Sequence, residues 1–154
     1  MSREVLNYTR MARGERPGKH SYVALLGLRT YDTARLVKRL GEGLPFTAFE
    51  RLGRSLDLTA KELAWLIQIS PRTLARRKEQ GRLRPDESDR LVRVARVFGR
   101  AIDLFEGDAV AARRWLATDN TALGGVSPLQ MARSEVGARE IDALTGRLEH
   151  GVFS

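Results

Sequence analysis

The chain is predicted to be all-α, with a helix-turn-helix domain followed by a small helical domain. Three observations predict this. From Thr33 onward, apolar residues recur at helical spacing, and no run alternates convincingly as a strand would. Ser, Thr and Asp residues followed closely by Pro, Glu or Gln mark one helix start after another. Between Leu58 and Leu83, two short helical patterns are joined by a turn of about four residues, the grammar of a helix-turn-helix.

Residues 1–32 are read as a basic N-terminal arm or segment, with residues 1–20 mobile or loosely docked and "SYVALLGL" (Ser21–Leu28) too short to be assigned to helix or strand. Leu36, Val37 and Leu40 form the first helical stripe, stopped by Gly41, Gly43 and Pro45. Phe46, Phe49, Leu52 and Leu56 continue it. Thr59 and Glu62 make a capping box for a helix burying Leu63, Ala64 and Ile67. Ser70-Pro71 starts the next helix as cap and first residue, and Gly81 ends it. After Pro85, acidic Asp86, Glu87 and Asp89 precede Arg90, Arg93 and Arg96, an order that suits the helix dipole. Leu91, Val94, Ala95 and Phe98 are its inward face. The division expected is 1–32, 33–98 and 99–154. In the last part Asp108 caps a helix carrying Ala111, Ala112, Trp115 and Leu116, and Ser127 with Gln130 forms a second capping box. Gly137 is read as a helix stop, and Ile141, Leu144 and Leu148 mark a closing helix.

The net charge of +8 is unevenly spread. Residues 1–44 carry nine Lys/Arg against four Asp/Glu, residues 45–98 twelve against seven, and residues 99–154 six against eight. A basic front and a mildly acidic back suggest a part that faces nucleic acid and a part with another task. With no cysteine, disulfides, thiolate metal sites and thiol nucleophiles are excluded. No apolar run approaches a membrane span and the start lacks an apolar signal core, so a cytoplasmic protein is expected.

On a helix from Pro71, Leu74 points inward and Arg72 and Arg76 lie opposite it, flanked by Thr73. Arginine forks onto guanine and Thr reaches a base edge or phosphate, so these three are the candidate base readers. Arg77, Lys78, Arg82 and Arg84 are read as phosphate clamps. A homodimer is expected, because helix-turn-helix readers usually need two half-sites. An enzyme is disfavoured: the two histidines, His20 and His150, lie near opposite ends and suit neither a triad nor a metal site. Gly124-Gly125 lacks the lysine of a phosphate loop, the last lysine being Lys78. No cofactor or metal is expected.

"LTAKELAWLIQISPRTLARRKEQGRLRPDESDRLVRVARVF" resembles the helix-turn-helix domain of Xre-type antitoxins. "WLATDNTALGGVSPLQMARSEVGAREIDALTGRLEHGVF" resembles the C-terminal toxin-binding domain of the Xre/ParS/MbcA group, through Trp115-Leu116, Asn120, Ala122 to Gly125, Pro128, Gly137, Arg147 and Glu149 to Phe153. The resemblance implies an antitoxin of a type II pair. Such a chain neutralises a RES-domain toxin that depletes NAD, covers that toxin's pocket, dimerises and represses its own operon. Carried onto this chain, it implies toxin contacts at Asn120, Leu123, Gly124, Gly125, Arg147, Glu149, His150, Gly151 and Val152. Two positions depart from the pattern. Asp119 stands where the family often has Pro, which implies a less rigid loop. Gln68 stands where many helix-turn-helix sequences have Gly, which suits a turn that avoids positive φ. The alternative is a dimeric DNA-binding regulator whose C-terminal domain senses a ligand or only dimerises.

Overall fold

The computed structural model describes residues 2–12, 20–29 and 32–151. Among them are nine α-helices and no strand, as the periodicity predicts: α1 (Arg3–Ala12), α2 (Thr33–Glu42), α3 (Phe46–Leu56), α4 (Ala60–Leu66), α5 (Pro71–Gln80), α6 (Pro85–Leu104), α7 (Ala109–Ala117), α8 (Pro128–Met131) and α9 (Glu135–Glu149). Two 3-10 segments, Ser21–Leu26 and Thr121–Leu123, accompany them.

The organising element is α6. Its 20 residues span about 30 Å at the usual rise per residue. Leu91, Val94, Ala95 and Phe98 are fully buried as the period requires, but so are Val97 and Ala101, with Ile102 nearly so. A helix apolar on most of its circumference must be packed from several sides. Here α2, the first 3-10 segment, α7 and α9 all pack against it. The boundary expected at residues 98 and 99 therefore falls inside a continuous helix, and cutting the chain there would divide the core.

The N-terminal segment departs most from expectation. Val5 and Tyr8 of α1 are buried, and Val23, Ala24, Leu25 and Leu26 of the 3-10 segment are sealed in the same core. "SYVALLGL" is neither α-helix nor strand. Its apolar run is long enough to fill a gap beside α6 and α3, and Gly27 closes it at φ 74°. Tyr8 fixes α1 to α6: its hydroxyl donates to Asp103 Oδ1 (2.8 Å) and lies 3.0 Å from the Gly99 carbonyl. Burial, helped by the charge of Asp103, pushes that hydroxyl above its usual pKa, so it stays protonated. Burial also raises the Asp103 carboxyl, against the opposing hydrogen bond from Tyr8 and the charge of Arg100. The folded chain thus holds this proton to higher pH than the unfolded chain, and the ionised carboxylate costs stability above that range. Asp103→Asn keeps an acceptor for Tyr8. Its melting temperature should equal or exceed the wild type's at neutral pH, and the difference should shrink toward about pH 4, where both unfolded and folded carboxyls protonate.

Around α3, Phe46 and Phe49 stack at 5.2 Å, and Leu52 and Leu56 continue the buried stripe. A two-bond clip joins the entry of α3 to the loop after α5: Phe46 N donates to Gly81 O and Leu83 N to Leu44 O, each at 2.9 Å. Gly43 passes so close that a Cβ would lie 2.2 Å from the Leu83 carbonyl. In α2, Leu36 is buried and Leu40 partly so, but Val37 is 62% exposed, because one helical step of 100° carries it off the stripe.

In the C-terminal part, Asp108 caps α7 through Ala111 N, and Ser127 with Gln130 makes the reciprocal capping box that starts α8. Gly137 does not stop a helix. It lies in the first turn of α9, where Ser134 Oγ caps its N–H at 3.0 Å, and a Cβ there would sit 2.0 Å from the Met131 carbonyl. α9 is then tied to α6 by charge: Arg96 reaches Glu135 (3.0 Å) and Asp142 (3.7 Å), and Arg100 reaches Glu149 (3.7 Å) and Thr145 Oγ1 (3.0 Å).

Candidate functional site

The helix-turn-helix is formed by α4, the turn Ile67–Ser70, and α5. Thr59 Oγ1 caps α4 through Glu62 N, Ala64 is buried, and Ser70 Oγ caps α5 through Thr73 N at 3.1 Å. The turn does use a positive φ, 59° at Gln68. A non-glycine residue strains there by about 1 kcal/mol. What offsets that strain is a contact from outside the motif: Gln68 Nε2 donates to the Arg133 carbonyl at 2.6 Å. The same carbonyl accepts from Arg93 Nη2 (2.5 Å), while Arg93 Nε donates to Ala132 O (3.0 Å). Arg133 returns the contact, donating to Trp65 O (3.2 Å) and lying 3.9 Å over the Trp65 ring. The helix-turn-helix turn and the α8–α9 connection thus hold each other's backbone groups.

On α5, Arg72, Arg76 and Lys78 are exposed and make no ion pair with a carboxylate among the described residues. Thr73 is half-buried and its hydroxyl accepts from Ser70 Oγ at 3.1 Å, so it serves the cap first. Arg77 is not placed as a phosphate clamp. It is 5% exposed, and its Nε and Nη2 grip the two Glu87 oxygens at 2.7 and 3.2 Å. Glu87 in turn accepts from Arg84 N at 2.9 Å, so one carboxylate joins the last turns of α5 to the first turn of α6. Arg82 is also occupied, its Nη1 donating to Gly43 O at 2.6 Å. Arg84 is exposed. Two exposed cations that the helical-wheel reading left out, Arg54 and Lys61, line a groove of about 410 Å3 between α3, α4 and α5 together with Lys78. Lys61 could have been found from sequence. It sits in the first turn of the motif's first helix, the element that crosses the backbone in such domains.

The second candidate surface is the corner 120–126. Asn120 organises it: its Oδ1 accepts from Ala122 N (2.9 Å), its carbonyl from Leu123 N and Gly125 N (both 3.0 Å), and its N–H donates to Val126 O (3.1 Å). The loop with Asp119 in place of Pro is therefore fixed by its own hydrogen bonds. Gly124 and Gly125 take φ of 75° and 87°, are exposed, and have nothing within 4 Å of a built Cβ. Their conformation explains glycine, and their setting leaves the backbone bare to an incoming surface. Leu123 is 8% exposed and belongs to the core, so it anchors the corner rather than facing outward. Arg147, His150 and Gly151 are exposed at the end of α9, and Glu149 faces back to Arg100. Val152 lies outside the described residues. No hydrogen bond or ion pair among the described residues joins the corner to the end of α9. Beside the corner, Leu58, Trp65, Leu66 and Leu129 line an apolar groove of about 440 Å3, with Trp65 48% exposed.

Fold and surfaces together define a class: a helix-turn-helix protein with a second helical module fastened to the back of its turn. The comparisons with known proteins place it further. Residues 35–96 match the antitoxin Xre-like helix-turn-helix domain, and residues 100–151 the antitoxin Xre/MbcA/ParS C-terminal toxin-binding domain. Antitoxin Xre of Yersinia enterocolitica is 36% identical over 130 residues, 84% of this chain and 88% of that one. Antitoxin Xre of Photorhabdus laumondii is 35% identical over 116 residues, 75% of this chain and 78% of that protein. Antitoxin Xre of Pseudomonas putida is 32% identical over 114 residues, 73% and 70% respectively. The chain belongs to the Xre antitoxin family, and its two domains are those of an antitoxin. Among the described residues, no helix is long and apolar enough to cross a membrane.

Proposed function

We propose that this chain neutralises a RES-domain, NAD-depleting toxin by laying the 120–125 corner and the end of α9 over the entrance of the toxin's nucleotide pocket. As a dimer it also represses its own operon through α5. The observation that carries the first half is the bare Gly124–Gly125 backbone, exposed within the part of the chain that matches a toxin-binding domain. A module with net charge −2 approaches a cationic nucleotide pocket without repulsion, unlike the basic part before it. Arg72 and Arg76 support the second half, being exposed at the start of a capped helix after a helix-turn-helix turn.

The test of neutralisation is co-expression with the toxin, reading growth and cellular NAD. Gly125→Trp places a large side chain on the corner where the fold has open space, at a strain of about 1 kcal/mol. The wild type should restore growth and NAD, and the folded variant should not. Equal rescue by both would refute the corner as the contact. For the DNA half, Arg72→Ala/Arg76→Ala should abolish sequence preference in a titration against the chain's own upstream DNA. Unchanged affinity and preference would overturn that assignment.

A further inference from the structure

Residues 2–12 and 20–29 lie outside both matched domains, yet Val5, Tyr8 and the run Val23 to Leu26 are built into the core. Their exposed side has a pronounced chemical character. On α1, Arg3, Asn7 and Arg10 fall at i, i+4 and i+7, one face of the helix, while Val5 and Tyr8 face the core. Across from them stand Arg29, just after the first 3-10 segment, and Arg51 of α3. Together with Glu4 these residues line a cleft of about 460 Å3. Among the described residues, four arginines thus share one concavity with a single carboxylate, and Glu4 is drawn to Arg51 at 3.9 Å. Arg3, Arg10 and Arg29 have no carboxylate partner among the described residues; Arg10 touches only Asn7 Oδ1, at 3.1 Å. Between α6 and α9, by contrast, Arg96 and Arg100 are answered by Glu135, Asp142 and Glu149.

We propose that the cleft between α1, the first 3-10 segment and α3 binds closely spaced phosphate groups. Converging guanidinium forks match phosphate oxygens bidentately, and a concave wall of one charge sign strengthens the local field. Two sources offer that chemistry: the backbone of a DNA duplex, and a soluble polyphosphate. Arg51 lies on the same helix as Arg54 of the α3–α5 groove, so a duplex held on α5 has a route to the cleft around α3. The site does not depend on α5 reading bases.

The test compares Arg3→Ala/Arg29→Ala with Arg35→Ala/Arg139→Ala. The second pair removes the same charge from positions whose side chains are 80% and 79% exposed on α2 and α9. Each protein is titrated with inorganic triphosphate by calorimetry, and with a short duplex of arbitrary sequence by anisotropy over a salt series. If the source is soluble, the cleft variant should lose about tenfold or more in triphosphate affinity. If it is DNA, the slope of log affinity against log salt should fall by roughly two, about one unit for each phosphate that is no longer neutralised. The control pair should stay close to wild type on whichever probe responds. A cleft variant no weaker than the control on both probes would overturn the proposal. Arg3→Gln/Arg29→Gln, which keeps the aliphatic stems, replaces the alanine pair if that pair melts early. The Arg72→Ala/Arg76→Ala variant should retain triphosphate binding, which separates failure of this site from failure of the operator-reading proposal.

Discussion

Glu87→Ala should cost about 3–5 kcal/mol of folding stability, the usual penalty for leaving one member of a buried ion pair alone. Arg77 is 5% exposed, and two of its nitrogens are spent on Glu87, so deleting the carboxylate strands a cation between α5 and α6. The same deletion frees the Arg84 N–H that Glu87 caps. Most single domains have only about 5–15 kcal/mol in hand, so urea or thermal unfolding should show a large shift. DNA binding should fail with it, although Glu87 would repel a phosphate rather than hold one. Arg77→Met/Glu87→Leu distinguishes the roles. Replacing both charges with apolar groups of similar volume should recover most of the stability, as buried pairs elsewhere do. If the double variant is stable and still binds its operator, Arg77 is a strut. If it is stable and binds nothing, Arg77 touches DNA after all.

Gly137→Ala is the second large effect. One methyl group would sit 2.0 Å from the Met131 carbonyl and 2.8 Å from its carbon, both backbone atoms that cannot rotate away. Either α9 shifts off α8 or the 131–134 connection opens. Overpacking of this kind costs about 1–3 kcal/mol and occasionally more. The consequence should reach the helix-turn-helix, because the Arg133 carbonyl in that connection is the acceptor for Gln68 and Arg93. Amide hydrogen exchange should therefore rise in the turn 67–70 as well as in α8 and α9. Faster exchange confined to α8 and α9 would show that the two modules do not hold each other.

Much of the fold was legible in the sequence because it rests on local chemistry. Ser70-Pro71, Asp108 and Ser127 with Gln130 start helices where the residues imply, since a cap needs only its own first turn. The inward face of α6 follows from period alone. What the sequence hid depends on partners far along the chain. A helical wheel puts Arg77 about 60° from the inward Leu74, a position that is exposed or buried according to what stands opposite. Glu87 stands opposite, and nothing local announces it. Gly137 reads as a stop because glycine commonly ends helices, whereas here it lets α9 start against the Met131 carbonyl. Gln68 accepts a positive φ because Arg133, 65 residues away, takes its side chain. Residues 1–20 look like a charged arm because their few apolar positions are scattered, and the apolar run after them is too short to assign. Only in three dimensions do Val5, Tyr8 and the run Val23 to Leu26 converge on α6. The candidate surfaces divide similarly: Arg72, Arg76, Gly124 and Gly125 stand exposed as their positions imply, while Arg77 and Leu123 are turned inward by packing.

The most direct measurement crosses two variants with two readouts. Arg72→Ala/Arg76→Ala and Gly125→Trp are each assayed for operator binding and for suppression of NAD consumption by the purified toxin. Separate faces on one packed body predict a clean exchange. The arginine variant should lose operator binding and suppress the toxin fully, and the glycine variant should do the reverse. Loss of both functions in either folded variant would contradict the division, as would toxin suppression that survives Gly125→Trp.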